Sequence, residues 1–95
     1  MVRSELLQKL CNYYPNILRR DIERILEIIF FEISEALCRG ENIEIRGFGS
    51  FYPKKYKSYK GRNPKTGESI QIPEKILPLY RPSRDLLEKL NSKQD

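Results

Sequence analysis

Between Tyr52 and Lys65 the chain carries six cationic side chains, Lys54, Lys55, Lys57, Lys60, Arg62 and Lys65, and no acid. Three tyrosines and three chain-shaping residues, Pro53, Gly61 and Pro64, are interleaved with them. Lysine and arginine in such a run offer charge-assisted hydrogen bonds to phosphate oxygens. The run closes on Arg62-Asn63-Pro64-Lys65, where a rigid apolar ring without an N–H sits on a turn. The chemistry these residue types support is recognition of a polyanion. If about six phosphates are neutralised per chain, log K falls with log salt at a slope near −5. A basic run is more often only a solvated face, and a lone proline only a turn former. The lack of any acid in the run and the Arg-Asn-Pro group at its end favour the polyanion.

Charge is divided unevenly. Residues 1–45 hold six Lys/Arg against eight Asp/Glu, whereas residues 46–95 hold twelve against five, so the net charge of +5 belongs to the second half. Other chemistry is poorly supplied. Without histidine the commonest metal ligand and acid–base catalyst is missing. Cys11 and Cys38 make neither a disulfide framework nor a CxxC site, and they read as small buried hydrophobes. We therefore expect no catalytic residue, no metal and no cofactor, and not an enzyme. The most apolar stretch, Ile25 to Ile33, is short and interrupted by Glu27 and Glu32, and the N-terminus lacks a secretory pattern. No membrane partner and a cytoplasmic location are expected.

The elements that must position the cationic run follow from periodicity. Leu6, Leu7, Leu10, Cys11 and Tyr14 lie on one face of a helix over about residues 3–14, broken by Pro15. A longer helix, Leu18 to Arg39, carries Ile22, Ile25, Leu26, Ile29, Ile33, Ala36 and Leu37 as one stripe. Ile28, Phe30 and Phe31 widen it, so the helix needs covering on more than one side, which predicts an intimate dimer. Phe30 and Phe31 read as core or dimer seam. Gly40 suits a left-handed stop.

Asn42 to Arg46 then alternates with period two, with Ile43 and Ile45 on one face and Glu44 and Arg46 on the other. Gly47-Phe48-Gly49 reads as a tight turn, with Phe48 and Phe51 expected in the core. Strands are predicted from Ser50 to about Lys60 and from Glu68 to about Tyr80, joined by a loop rich in turn formers. Ser83 can cap a last short helix carrying Leu86, Leu87 and Leu90, and residues 91–95 read as a frayed tail.

Three segments together, Ile43 to Phe51, Gly61-Arg62-Asn63-Pro64-Lys65-Thr66-Gly67 and Pro78-Leu79-Tyr80-Arg81-Pro82, resemble the signature of the HU and integration host factor family. The likeness runs over nearly the whole chain. It implies an α+β fold: two N-terminal helices forming an intertwined dimer body, a three-stranded antiparallel sheet with an extended β-ribbon arm, and a short C-terminal helix. The implied organisation is a single domain, 1–95, with a helical body at 1–40, a saddle at 41–82, an arm at about 53–75 and the last helix at 83–91.

Double-stranded DNA is the implied partner and the nucleoid the implied location, with roles in recombination, in transcription and translation regulation, and in nucleoid organisation. Minor-groove benders, this family among them, drive apolar wedges between base steps and kink the duplex by about 20–90°. By resemblance Pro64 is that wedge, flanked by Arg62, Asn63 and Lys65. Lys54, Lys55, Lys57, Lys60, Lys75 and Arg81 are further DNA-binding candidates. Arg3, Ser83 and Arg84 match positions that clamp outer phosphates. Arg46, held by Glu44 as a positioning residue, matches the beta subunit of integration host factor, which implies a heterodimer with a related alpha subunit. A self-paired homodimer with little sequence preference is the other form. A basic RNA-binding protein is the alternative from another class.

The chain also departs from the family pattern. Tyr56 and Tyr59 stand where arginine is usual, with Lys55, Lys57 and Lys60 one position away, which turns charge to the other face unless the register slips. Asn42 stands where the beta subunit is basic, and Ser83 where the family has glycine. Pro53 removes a ladder donor from the middle strand, so a bulge is expected there.

Overall fold

A computed structural model describes residues 1–92. The chain divides into two compact units, Met1–Glu35 and Ala36–Asp95.

The first unit is helical. Helix α1, Arg3–Tyr13, starts from an extended Val2 whose carbonyl accepts the N–H groups of Glu5 and Leu6 at 3.0 and 3.1 Å. It ends one residue before Tyr14, which Pro15 forces out of the α region. Tyr14, expected on the inward face of α1, is therefore outside the helix and exposed. Helix α2, Arg19–Cys38, is 20 residues long and continues past Glu35 into the second unit. Within the first unit Leu7, Ile22 and Leu26 form the buried centre, with Leu6, Leu10 and Cys11 partly buried against it. Arg19 Nη1 donates to Gln8 Oε1 at 2.6 Å and so ties the start of α2 to α1. The rest of the α2 stripe is open: Ile25 is 53% exposed and Phe31 59%.

The second unit opens on the end of α2. Glu41 N–H donates to the Ala36 carbonyl and Gly40 N–H to that of Leu37, both at 3.0 Å, and Gly40 has φ +80°. That is a Schellman stop, which needs a residue without a Cβ penalty at its left-handed position. Cys38, in the last turn, is exposed and not the buried hydrophobe expected; only Cys11 is partly buried.

Five strands follow: β1 Ile43–Ile45, β2 Gly49–Tyr56, β3 Tyr59–Arg62, β4 Ser69–Ile72 and β5 Lys75–Pro82. They form an antiparallel sheet in the order β1-β2-β5 and a separate two-stranded ribbon, β3-β4. The two long strands expected are thus each interrupted at one level, where Lys57-Ser58 faces Pro73-Glu74. Pro73 cannot donate to a ladder, which accounts for the gap. Tyr56 pairs with Lys75 before the gap and Tyr59 with Ile72 after it. The offset is unchanged, so the gap is not a slip.

No bulge forms at Pro53 either. It pairs with Pro78 in unbroken register. Strand β1 ends at Ile43, opposite Phe51, so Pro53 lies where β2 has a neighbour on one side only. A missing N–H costs nothing on the open side.

Helix α3, Arg84–Ser92, is capped by Ser83, whose Oγ accepts the Leu86 N–H at 3.1 Å. The helix carries Asn91 and Ser92 beyond the expected start of the tail, and residues 93–95 of that tail lie outside the described residues.

Candidate nucleic-acid interface

The register sorts the side chains of the three-stranded sheet onto two faces. On one face Ile43, Phe51 and Tyr80 are in register, and the Phe48 ring joins them from the turn. Ring centroids are 5.4 Å apart for Phe48–Tyr80 and 5.0 Å for Phe51–Tyr80. The Phe48 carbonyl accepts both the Tyr80 hydroxyl and the Ser83 N–H at 2.9 Å. Phe48 is nevertheless exposed in part, and Phe51 half-buried, so neither is the fully covered core residue expected. Gly49 makes the turn possible: its φ is +154°, and a Cβ there would run into the Arg81 carbonyl and the Tyr80 ring.

The opposite face is cationic. It presents Glu44, Ser50, Tyr52, Lys54, Tyr56, Lys75, Leu77, Leu79 and Arg81. Glu44, Arg46, Ser50 and Arg81, with Pro82 and Ser83, line an open cleft of about 380 Å³. Glu44 and Arg46 share that cleft without forming an ion pair. Arg46 follows the last residue of β1 and enters the turn, so the holding role expected of Glu44 has no direct contact behind it.

Lys55 lies on the reverse of the face that carries Lys54 and Tyr56, and its Nζ is 3.1 Å from Glu74 Oε1. The acid-free run of the outgoing strand therefore meets an acid from the returning one. Lys57 sits in the gap beside it. Because the register does not slip, the displaced lysine at 55 does point the other way, as the substitution pattern implied.

Farther out, the β3-β4 ribbon is two-faced. Lys60, Arg62, Ser69 and Gln71 share one side, and Tyr59, Gly61, Ile70 and Ile72 the other. The ribbon thus has more apolar surface than its outgoing strand alone offers. Its turn is held by four bonds: Glu68 N–H to Thr66 Oγ1 at 3.3 Å, Asn63 N–H to the Glu68 carbonyl at 2.8 Å, Gly67 N–H to the Asn63 carbonyl at 2.8 Å, and Lys65 N–H to Asn63 Oδ1 at 2.9 Å. The last is an Asx turn, which fixes the backbone on both sides of Pro64 and leaves its ring exposed at the apex. Gly67, at φ +74°, lets the chain return.

The remaining candidates, Arg3, Ser83 and Arg84, stand at helix starts. Arg3 is the first residue of α1, 3.8 Å from Glu27 and 5.9 Å from the centre of the Phe30 ring. Ser83 spends its hydroxyl on the helix cap, and Arg84, the first residue of α3, is exposed and 3.8 Å from Glu88. Among the described residues no cluster of His, Cys, Asp and Glu could hold a metal ion, and no helix is long and apolar enough to cross a membrane.

A family model described as bacterial DNA-binding protein matches residues 1–91. The chain belongs to that family. Among solved structures, the HU chain of an Anabaena HU–DNA cocrystal is 29% identical over 95% of this chain and 97% of its own, with a TM-score of 0.81. HU from Thermotoga maritima is 27% identical over 95% and 98%, with a TM-score of 0.65. A putative DNA-binding protein from Bacteroides vulgatus, 15% identical, aligns over 97% of this chain but 37% of its own, with a TM-score of 0.68; it bears on the fold alone. The α+β architecture expected for the family is the one observed.

Sequence reasoning counted neither Tyr52 nor Tyr56 among the site residues, although it allowed Tyr56 a hydrogen bond to phosphate or a stack along sugar edges. A Lys54 ammonium lies 5.4 Å from the centre of the Tyr56 ring, and the Arg81 guanidinium 5.4 Å from that of Tyr52. The signal was present in period two: 52, 54 and 56 share a face in any unslipped strand.

Proposed function

We propose that this chain is an architectural DNA-bending subunit, gripping the minor groove of duplex DNA with the β3-β4 arm and kinking it with Pro64. The observation that carries the reading is the apex. An Asx turn presents an exposed proline ring between Arg62 and Lys65, at the end of a ribbon whose one side is basic. Nothing in a folding role requires that arrangement. In minor-groove benders, of which this family is itself an example, unstacking is offset by the contacts that the bend brings to the flanks.

Arg62, Asn63 and Lys65 would flank the wedge. Lys54, Lys60, Lys75, Arg81 and Arg46 would meet phosphates and groove edges from the cationic face, with Lys55 and Lys57 at the margin. Arg3, Ser83 and Arg84 would meet outer phosphates, and Glu44 would set the local field around Arg46. Recombination, transcription regulation and nucleoid organisation are the processes in which such bending is used.

The open α2 stripe supports association into a dimer, since exposed apolar surface of that extent marks a protein interface. Two partners fit. Glu44 and Arg46, together in one cleft with Arg81, favour the beta-subunit reading and a related alpha subunit. The HU chains among the structural neighbours favour a homodimer with little sequence preference.

Bending is tested by energy transfer between dyes at the two ends of a short duplex. The parent should shorten the end-to-end distance, and Pro64→Ala should bind while leaving the duplex nearly straight. A Pro64→Ala protein that bends DNA as the parent does removes the wedge from the reading. A preference for single-stranded RNA over duplex at equal salt removes the whole of it.

A further inference from the structure

We propose that Tyr56 and Tyr52 are positioning residues of the cationic face: their ring faces hold the Lys54 ammonium and the Arg81 guanidinium in place before any polyanion arrives. The inference deepens the DNA-binding reading and rests on it for what the cations meet.

Both pairs have the same geometry, a cation 5.4 Å from a ring centre, and both lie on one face of one sheet. The rings are half-buried while Lys54 and Arg81 are exposed, so each ring is fixed by the sheet and each cation is free to move except where the ring attracts it. A tyrosine ring attracts a cation through its negative face, within about 6 Å of the centroid. A free lysine loses rotamer freedom when it is immobilised on a phosphate, and a ring that has already restricted it reduces that loss. Arginine in place of Tyr56 would add a charge to the face. Tyrosine adds none, and instead holds the cations its neighbours supply. The charge deficit of the strand and its aromatic content are thereby one feature.

The pairing is read directly in the free protein by NMR. The ε-methylene protons of Lys54 should be shifted upfield by the Tyr56 ring current, and the shift should vanish in Tyr56→Leu and persist in Tyr56→Phe. Duplex affinity is then measured by fluorescence anisotropy at fixed salt for the full-length parent, Tyr56→Leu, Tyr56→Phe, Lys54→Gln and the double variant Lys54→Gln/Tyr56→Leu. Tyr56→Leu should bind about two- to fivefold more weakly, the range expected of an exposed cation–π pair. Tyr56→Phe should match the parent, and Tyr56→Leu should cost nothing further once Lys54 is glutamine. Thermal melting of each variant separates loss of fold from loss of grip, and should Tyr56→Leu melt early, Tyr56→Met takes its place.

Equal losses in Tyr56→Phe and Tyr56→Leu would assign the role to the hydroxyl and overturn the proposal. So would an undiminished effect of Tyr56→Leu in the Lys54→Gln background, because the ring would then act on the ligand itself. A parent that binds no duplex defeats the DNA reading but leaves the ring-current result standing. An unshifted Lys54 defeats the positioning role whatever the affinity.

Discussion

The helical unit and the strand-bearing unit leave different things exposed. In residues 1–35 the acids slightly outnumber the bases, six to five, and the open surface of α2 is aliphatic and aromatic. Residues 36–95 carry thirteen bases against seven acids, and the side chains left open on the cationic sheet face and the arm include Lys54, Lys60, Arg62, Lys65, Lys75 and Arg81. Exposed apolar side chains are costly in water until another apolar surface covers them, and exposed cations are not. The first unit thus leaves a stripe that another apolar surface would cover, whereas the second leaves cations open on one sheet face and the arm, beside apolar side chains such as Ile76, Leu87 and Leu90 elsewhere. Three buried side chains make a small centre for a unit of this length, which is the same point seen from inside.

The sharpest way to break this comparison is to put a charge on the apolar stripe. Ile29→Glu should convert the dimer to monomer in native mass spectrometry and abolish duplex binding, because an unpaired carboxylate buried in an interface costs on the order of 3–5 kcal/mol. A dimer that survives and binds DNA would mean that α2 is not the protein-facing surface.

Next in size is the turn that joins β1 to β2. Gly49→Ala would set a Cβ against the Arg81 carbonyl at a φ that side chains rarely adopt. We expect about 1–3 kcal/mol of destabilisation in urea unfolding, with apparent DNA affinity recovered once the unfolded fraction is allowed for. A loss of affinity beyond that fraction would place Gly49 in the interface.

A smaller effect tests the arm apex. Asn63→Ala removes the acceptor of the Lys65 N–H at an exposed site, worth about 0.5–1.5 kcal/mol of turn stability. Bending by end-to-end energy transfer should fall while the helical unit melts unchanged.

What could be read beforehand divides along the same line. Helix limits came within a residue because Pro15 and Gly40 punctuate them, and Ser83 was recognisable as a cap from its type and place. The order of strands and the Gly-Arg-Asn-Pro apex were legible for similar local reasons. Non-local facts were not. The gap at Lys57-Ser58 depends on Pro73 arriving opposite it, and the pairing of Pro53 with Pro78 depends on where β1 ends. Neither is visible until the register is known. The Lys55–Glu74 pair was hidden by counting charge along the chain and not across the hairpin. The exposure of Cys38 was missed because a buried cysteine is a statistical expectation that this helix end does not meet.

The finest distinction concerns two adjacent lysines on one strand. Lys54 lies on the tyrosine-bearing face, and Lys55 on the reverse, where Glu74 already partners it. If the cationic face meets phosphate, Lys54→Gln should flatten the slope of log K against log salt by about 0.9, the contribution of one contact. Lys55→Gln should change the slope by much less, and its loss of an exposed ion pair should cost at most about 1 kcal/mol in stability. Glu74→Gln completes the set: if Lys55 is held out of reach by its position, freeing it leaves the slope where it was, whereas a steeper slope would mean that the acid alone kept it from the DNA. Equal slopes for Lys54→Gln and Lys55→Gln would say that the arm's root is gripped on both sides, and the difference between its two faces would then be chemical without being functional.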